Sequence, residues 1–580
     1  MFKKSTLSLA LTAAMIGGVA MTQQAFANLD VNPGVAANIS YVSNNTLGQA
    51  MIFPYYTVRG GKESIINIFN TSDRTVTAKV RFHESHNSRD VLDFQLVLSP
   101  FDKWSGTISA AADGGALFKT RDNTCTVPQI PSTGVPLNAS AYNSASYADA
   151  DADQSNDRLQ EGYVEVIAMG DAEPANQGFS GPTGAGAAYV AGNVGNVAYN
   201  STHVNGVPRS CDNVDTAFTV NTGNNALGGQ GAATSGTGAF TAANAAIFPL
   251  NVAGGNGSPM AAAEFDGMGV ASTSTATVAA ADRNPLRGAL TIVDGANGVG
   301  FGTAAVAIAN FANAGLTLGV NAAGNNTANL ITAQRLPYFL EPTLASRDDI
   351  WTVTGLPVVE AAMTAGTVIN EWANNPINGA NTDWVIQFPT KSYHVDIPYV
   401  DNATAAGCSD SNIQAATNKW RGNGWTGPVT GACLQSAGAT SVPATEVLHI
   451  APFATRFTAT GSPIEIQPNL IDKEERQATA VTGVSFSPAQ PTNSTTSIPW
   501  ESNVVTFSGL GGKSVLASSS PELILNPTVT IPGSDTNGQA LLTFGSVLVP
   551  TPLPVIGFVA KERDQGGSSN YGQIMQHSYQ

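Results

Sequence analysis

The chain has 580 residues, of which only 12% are Asp, Glu, Lys or Arg, and a formal charge of −16. An acidic, lysine-poor surface repels phosphate backbones, which excludes nucleic acid as an expected partner. Apolar residues make up 42% of the chain, enough that low charge does not signal general disorder.

Taken in chain order, the first element is an export signal over residues 1–27. Lys3 and Lys4 precede an apolar core from Leu7 to Val19, and Ala25-Phe26-Ala27 supplies a small-x-small cleavage site before Asn28. That core is shorter than the ~20 apolar residues a membrane-spanning helix needs. The expectation is therefore a mature chain without a transmembrane segment, at the cell surface or outside the cell, with the periplasm as the alternative. Loss of Lys3 and Lys4 would leave it two charges more negative.

Residues 28–170 predict an immunoglobulin-like β-sandwich with an insertion. Strand patterns cover 51–58, 64–70, 75–82, 91–98 and 104–109, separated by turn clusters such as Gly60-Gly61 and Asn70-Thr71-Ser72-Asp73. Val76, Ala78, Val80 and Phe82 alternate with Thr77, Lys79 and Arg81, the pattern of a strand with one buried face. A strand over 162–169 is expected to rejoin this sheet. Residues 171–285 are rich in Gly, Ala, Asn and Thr, and read as long surface loops that bury little area against their ordering entropy.

Residues 286–580 read as a β-rich region with one helix, making the whole chain mainly β. Pro357 opens a helical pattern running to about Ala373. Strand patterns follow over 384–388, 503–507, 540–549 and 555–561.

Four cysteines, Cys125, Cys211, Cys408 and Cys433, predict two disulfides in an oxidising compartment. Three connectivities exist. Cys125–Cys211 with Cys408–Cys433 is favoured because each bridge then closes a loop within one region.

Few residues suggest chemistry. His83 and His86 are three apart beside a strand pattern, whereas the zinc-protease helix needs histidines four apart. Gly511-Gly512-Lys513-Ser514 resembles the end of a phosphate loop, but Phe507 stands where its first glycine belongs. No GxSxG elbow occurs, and no catalytic residue is assigned. A glycosidase needs two acids without a local motif, so a secreted hydrolase remains the third functional expectation.

The strongest site candidate is Asp149, Asp151 and Asp153, with Asn156 and Asp157 behind them, whose oxygens suit calcium. Gln154 and Gln160 stand where the twelve-residue calcium loop has its Gly and Glu, so a solvated acidic loop competes. Trp420 and Trp425 are candidates for stacking on sugar rings, against the commoner role of packing beneath a loop.

FPYYTV, IFNTSD, VRFHESHNSRDVLDFQLVLSPFDKW, EGYVEVIAMGD, INEWANN, TDWVIQFPTK and PVIGFVAKERD resemble phrases in a set of exported Gram-negative bacterial proteins. The resemblance spans most of the chain and implies a bacterial exported origin, with no catalytic residues to carry over. The composition is also similar to that of surface-layer and matrix proteins. The function expected is a non-enzymatic cell-surface or extracellular structural protein that self-associates as a matrix, layer or filament subunit. Residues 28–41 are suited to adding to a neighbour's sheet edge. A carbohydrate-binding protein or adhesin is the alternative, and cell-surface polysaccharide its expected partner.

Overall fold

The computed structural model describes chiefly residues 41–143, 151–172, 197–219, 284–309, 356–375, 379–395, 457–476, 496–507, 536–546, 549–564 and 570–580, with a few shorter pieces. Residues 1–40, Asp149, Cys408, Trp420, Trp425 and Cys433 lie outside the described residues. Among the described residues the fold is mostly β with no closed barrel, its sheets antiparallel except where Leu523–Leu525 pairs parallel to Ser502–Phe507.

The first sandwich has two faces. One sheet runs in the order Tyr41–Val42, Val306–Ala309, Ala50–Thr57, Glu161–Ala172, Thr75–Glu84, Asp90–Leu98, Cys125–Val127, with Asp266–Gly267 also paired to Glu161–Ala172. The other runs Val299–Ala304, Leu286–Asp294, Lys62–Asn70, Lys103–Ala110, Ala116–Thr120, Val135–Pro136. The expected strand over 162–169 joins the first sheet, between Ala50–Thr57 and Thr75–Glu84. Gly162 permits that close approach, since a Cβ there would lie 1.9 Å from the His83 carbonyl.

Two features of this sandwich differ from the sequence expectation. Strands from 286 to 309, grouped by sequence with the C-terminal region, pair with the N-terminal strands: Leu286–Asp294 runs in full register against Lys62–Asn70. Their pairing is long-range, so no local pattern announces it. Thr75–Glu84 is also buried along its whole length, Thr77, Lys79 and Arg81 included. On its polar side Lys79 pairs with Asp93 and Arg81 lies 3.6 Å from Asp90.

The second sandwich pairs a sheet ordered Thr496–Ile498, Ile464–Asp472, Asn537–Ser546, Thr367–Ala373, Ser578–Tyr579 with one ordered Leu523–Leu525, Ser502–Phe507, Ala380–Gln387, Ile556–Arg563, Tyr571–Gln576. The predicted helix over 357–373 is shorter. It spans Leu356–Met363, and Thr367–Ala373 is a strand. Gly366 follows the helix, and beyond it Val368 and Trp372 turn inward with the period of a strand, so the apparent helical periodicity was a chance overlap of two patterns. Further short helices, Ser140–Asn143, Val197–Ser201, Cys211–Thr219 and Ser392–Val395, add to the single helix expected.

The sheet carrying Ala380–Gln387 is shared. Its residues Val385, Val504, Phe558 and Ala560 belong to the hydrophobic cluster of the first sandwich, and Tyr55 meets Phe558 edge to face at 6.5 Å. The alternate residues Trp384, Ile386, Val505, Phe507 and Val559 belong to the cluster of the second. A sheet covered on both faces explains the unbroken apolar run Trp384-Val385-Ile386. The two sandwiches are therefore joined through packed core.

Candidate functional site

Among the described residues, a dense group of ionisable side chains lies where the two sandwiches meet, around the turn between Thr75–Glu84 and Asp90–Leu98. Glu84 organises that turn. Its Oε2 accepts the His86 N–H at 2.7 Å, and its Oε1 accepts the N–H groups of Asn87 and Arg89 at 2.9 and 3.0 Å. Ser88 takes a left-handed conformation, φ 55°, to close it.

Arg158, from the short helix Asn156–Gln160, balances the buried Glu84 charge. Its Nε lies 3.1 Å from Oε2 and its Nη2 3.0 Å from Oε1, a bidentate pairing with both side chains fully buried. The guanidinium sits 4.0 Å from the centre of the Tyr142 ring. Its Nη1 reaches the Asp153 carbonyl at 3.1 Å and Asp151 Oδ2 at 3.4 Å.

Asp151 carries the network onward. Its Oδ2 is 2.5 Å from His86 Nδ1, and the His86 ring stacks on Trp500 of the second sandwich at 3.8 Å with planes 5° apart. Backbone bonds reinforce this junction: Ser502 N–H to the Ser85 carbonyl, Glu501 N–H to that of His86, and Ala152 N–H to that of Ala459. On the far side of the turn, His83 stacks on Tyr163 at 4.7 Å and lies 3.0 Å from Asp90 and 3.3 Å from Glu165.

The two histidines thus face different carboxylates, and neither their spacing nor their surroundings suit zinc. Among the described residues, no group of three or more His, Cys, Asp or Glu is placed to hold a metal. Of the expected calcium ligands, Asp151 is engaged by His86 and Arg158, and Asp153 accepts the Ser155 N–H. The Asp151 carboxylate serves the turn and that of Asp153 its own loop, and nothing in this geometry presents the two as a ligand set. The cysteine expectation is met where it can be seen: Cys125 and Cys211 form a disulfide.

A Ser–His–Asp grouping that sequence reasoning missed, Ser99, His203 and Asp102, lies at the opposite end of Asp90–Leu98 from this turn. Ser99 Oγ is 3.2 Å from His203 Nδ1, and Asp102 Oδ2 is 3.8 Å from that same nitrogen. A proton relay needs the hydroxyl and the carboxylate on opposite ring nitrogens. Here both meet Nδ1, so the group cannot activate Ser99 in that way.

The second sandwich buries ionisable groups that sequence reasoning also left unnoticed. Burial lowers the Lys391 pKa to about 7, with Glu501 opposing; its Nζ donates to the carbonyls of Pro499 and Trp500 at 2.7 and 3.0 Å. Burial lowers His577 to about 3, partly offset by its bond to the Val385 carbonyl. Burial pushes the Asp383 carboxyl up, against bonds from Leu516 N–H, Ser514 and Thr506 that stabilise its charge. His394 pairs with Glu360 at 2.6 Å. No local spacing foretold these contacts, because partners such as Glu84 and Arg158 are 74 residues apart.

Taken together, the arrangement matches charges, fixes a turn and locks a seam. Comparison of the chain with protein-family models, curated proteins and solved structures found no match.

Proposed function

We propose that this chain is an exported, non-enzymatic structural protein that self-associates at a cell surface or in extracellular material. The observation that carries the reading is the seam. A cluster of buried polar side chains fastens two sandwiches into one body, by the Glu84–Arg158 pair, the His86–Trp500 stack and the backbone bonds around Ser85. A stiff two-sandwich unit is what a load-bearing or lattice-forming subunit requires.

Its low charge weakens protection against edge-to-edge pairing. Two edge strands carry exposed apolar side chains, Ile524 on Leu523–Leu525 and Tyr571 on Tyr571–Gln576, 57% and 53% exposed. The leader-like residues 1–27 support export, and calcium enters the test because Asp149, Asp151 and Asp153 carry oxygen donors, although Asp151 already meets His86 and Arg158.

The test is negative-stain microscopy and light scattering on the mature protein, with calcium and then with chelator. Ordered sheets or filaments are expected, reduced by Ile524→Lys. Dispersed monomers at high concentration in both conditions would overturn the reading, and a glycan array on Trp420→Ala and Trp425→Ala variants would then come next.

A further inference from the structure

Lys62 and Asp294 lie opposite each other in the ladder joining Lys62–Asn70 to Leu286–Asp294. Alternation along both strands puts Lys62 on the face of Ile66 and Ile68, and Asp294 on the face of Leu290 and Ile292. The two charged side chains therefore point into the sandwich, each only 4% exposed. Lys62 Nζ donates to Asp294 Oδ2 at 2.8 Å, and Asn297 Nδ2 donates to the same oxygen at 2.8 Å. Asn297 is held from two further sides: its N–H bonds Asp294 Oδ1 at 3.0 Å, and its carbonyl accepts Asn570 Nδ2 at 3.1 Å. An amine, a carboxamide and a carboxylate touching both, held together at the end of a core, are the parts required for amide exchange. Such positioning supplies much of the barrier reduction in an intramolecular reaction, and a carboxylate in hydrogen-bond reach can move the protons.

We propose that Lys62 and Asn297 join in an intramolecular isopeptide bond, with Asp294 carrying the protons. Lys62 Nζ gives a proton to Asp294 and attacks Cγ of Asn297. The Nζ–Cγ bond forms, the Cγ–Nδ2 bond breaks, and Asp294 passes protons from Nζ to Nδ2. The nitrogen leaves as ammonium with the two protons that Lys62 has lost, and the Asp294 carboxylate is restored. No oxidant or other reactant is needed. The product covalently ties the turn after Leu286–Asp294 to the start of Lys62–Asn70, and it would form whether or not the chain self-associates.

The test is the intact mass of the mature exported protein after disulfide reduction, followed by tandem mass spectrometry of a digest. The expected mass is one ammonia below that of the mature sequence, with a branched peptide joining the Lys62 and Asn297 segments. Asp294→Asn and Lys62→Arg should each show their full encoded mass and no branched peptide. Asn297 precedes Gly298, and a succinimide at that pair would also lose one ammonia. Ammonia loss confined to a linear Asn297–Gly298 peptide, or no loss at all in the unmutated protein, would overturn the proposal. The unmutated protein decides the matter even if a variant fails to fold.

Discussion

The first sandwich buries its charges in pairs, while the second buries several of its titratable groups without an opposing charge bonded to them. Lys62 faces Asp294 and Arg158 faces Glu84 with both members buried, while the buried Lys79 reaches out to Asp93, whose side chain is 43% exposed. Across the seam, Lys391 and His577 meet backbone carbonyls and are held towards their neutral forms by burial. Both solutions avoid an unmatched buried charge, which is among the costliest features a fold can carry. They differ in what breaks them. A paired charge is vulnerable to loss of its partner, and a neutralised group is vulnerable to pH.

The largest effect is expected from Arg158→Ala, which strands the fully buried Glu84 and should destabilise the protein by about 3–5 kcal/mol in denaturant unfolding. Pairing Arg158→Met with Glu84→Gln should recover part of that loss, because no charge is then left alone. A loss below about 1 kcal/mol would place this pair with exposed ion pairs and blur the contrast. Next comes the disulfide. Replacing Cys125 and Cys211 by Ala should lower stability by roughly 2–4 kcal/mol, read from the shift in denaturant midpoint.

The pH dependence sharpens the contrast from the other side. His577 has a folded pKa of about 3 against an ordinary 6.5, so within that window only the unfolded chain takes up the proton. Stability should therefore fall as pH drops from 6.5 towards 3. Lys391 is lowered to about 7 from 10.5, so between those values the unfolded chain again holds the extra proton, and stability should rise with pH. Either group contributes a slope of up to about 1.4 kcal/mol per pH unit. Unfolding titrations at stepped alkaline pH should show the upper slope in the unmutated protein and a flatter curve in Lys391→Met. Equal slopes in both proteins would remove Lys391 from the account.

The smallest expected effect is at the junction. His86→Ala removes the stack on Trp500 and the bond to Asp151, and should cost about 0.5–1.5 kcal/mol. A larger loss, with separate unfolding transitions for the two sandwiches, would show that this one ring holds the seam more than the shared apolar cluster does.

The candidate site was poorly legible in sequence. The chemistry a sequence displays lies in short spacings, such as histidines four apart, alternating aspartates or paired tryptophans. Such spacing singles out Asp151 and Asp153 for their oxygens, whereas in the fold Asp151 serves as the acceptor for His86 and Arg158. Glu84, the centre of the turn, stands in the sequence only as the acid between His83 and His86, with no sign of its partner Arg158. A buried ion pair has no sequence period, because its members arrive on strands and loops far apart in the chain. The helix expected over 357–373 failed for a related reason. A run of seven residues fits both a helical and a strand pattern until its ladder partner, here Asn537–Ser546, is known.

What the sequence determined by itself was the β class, the main strands of the first sandwich and the Cys125–Cys211 bridge. These rest on local alternation, turn residues and the short list of pairings that few cysteines allow. Only the tertiary structure decided that the strands from 286 to 309 belong to the first sandwich, that one sheet serves both cores, and which charges meet at the seam. Register and sheet membership are set by backbone hydrogen bonds and burial between distant segments, and those energies exist only once the chain has closed on itself.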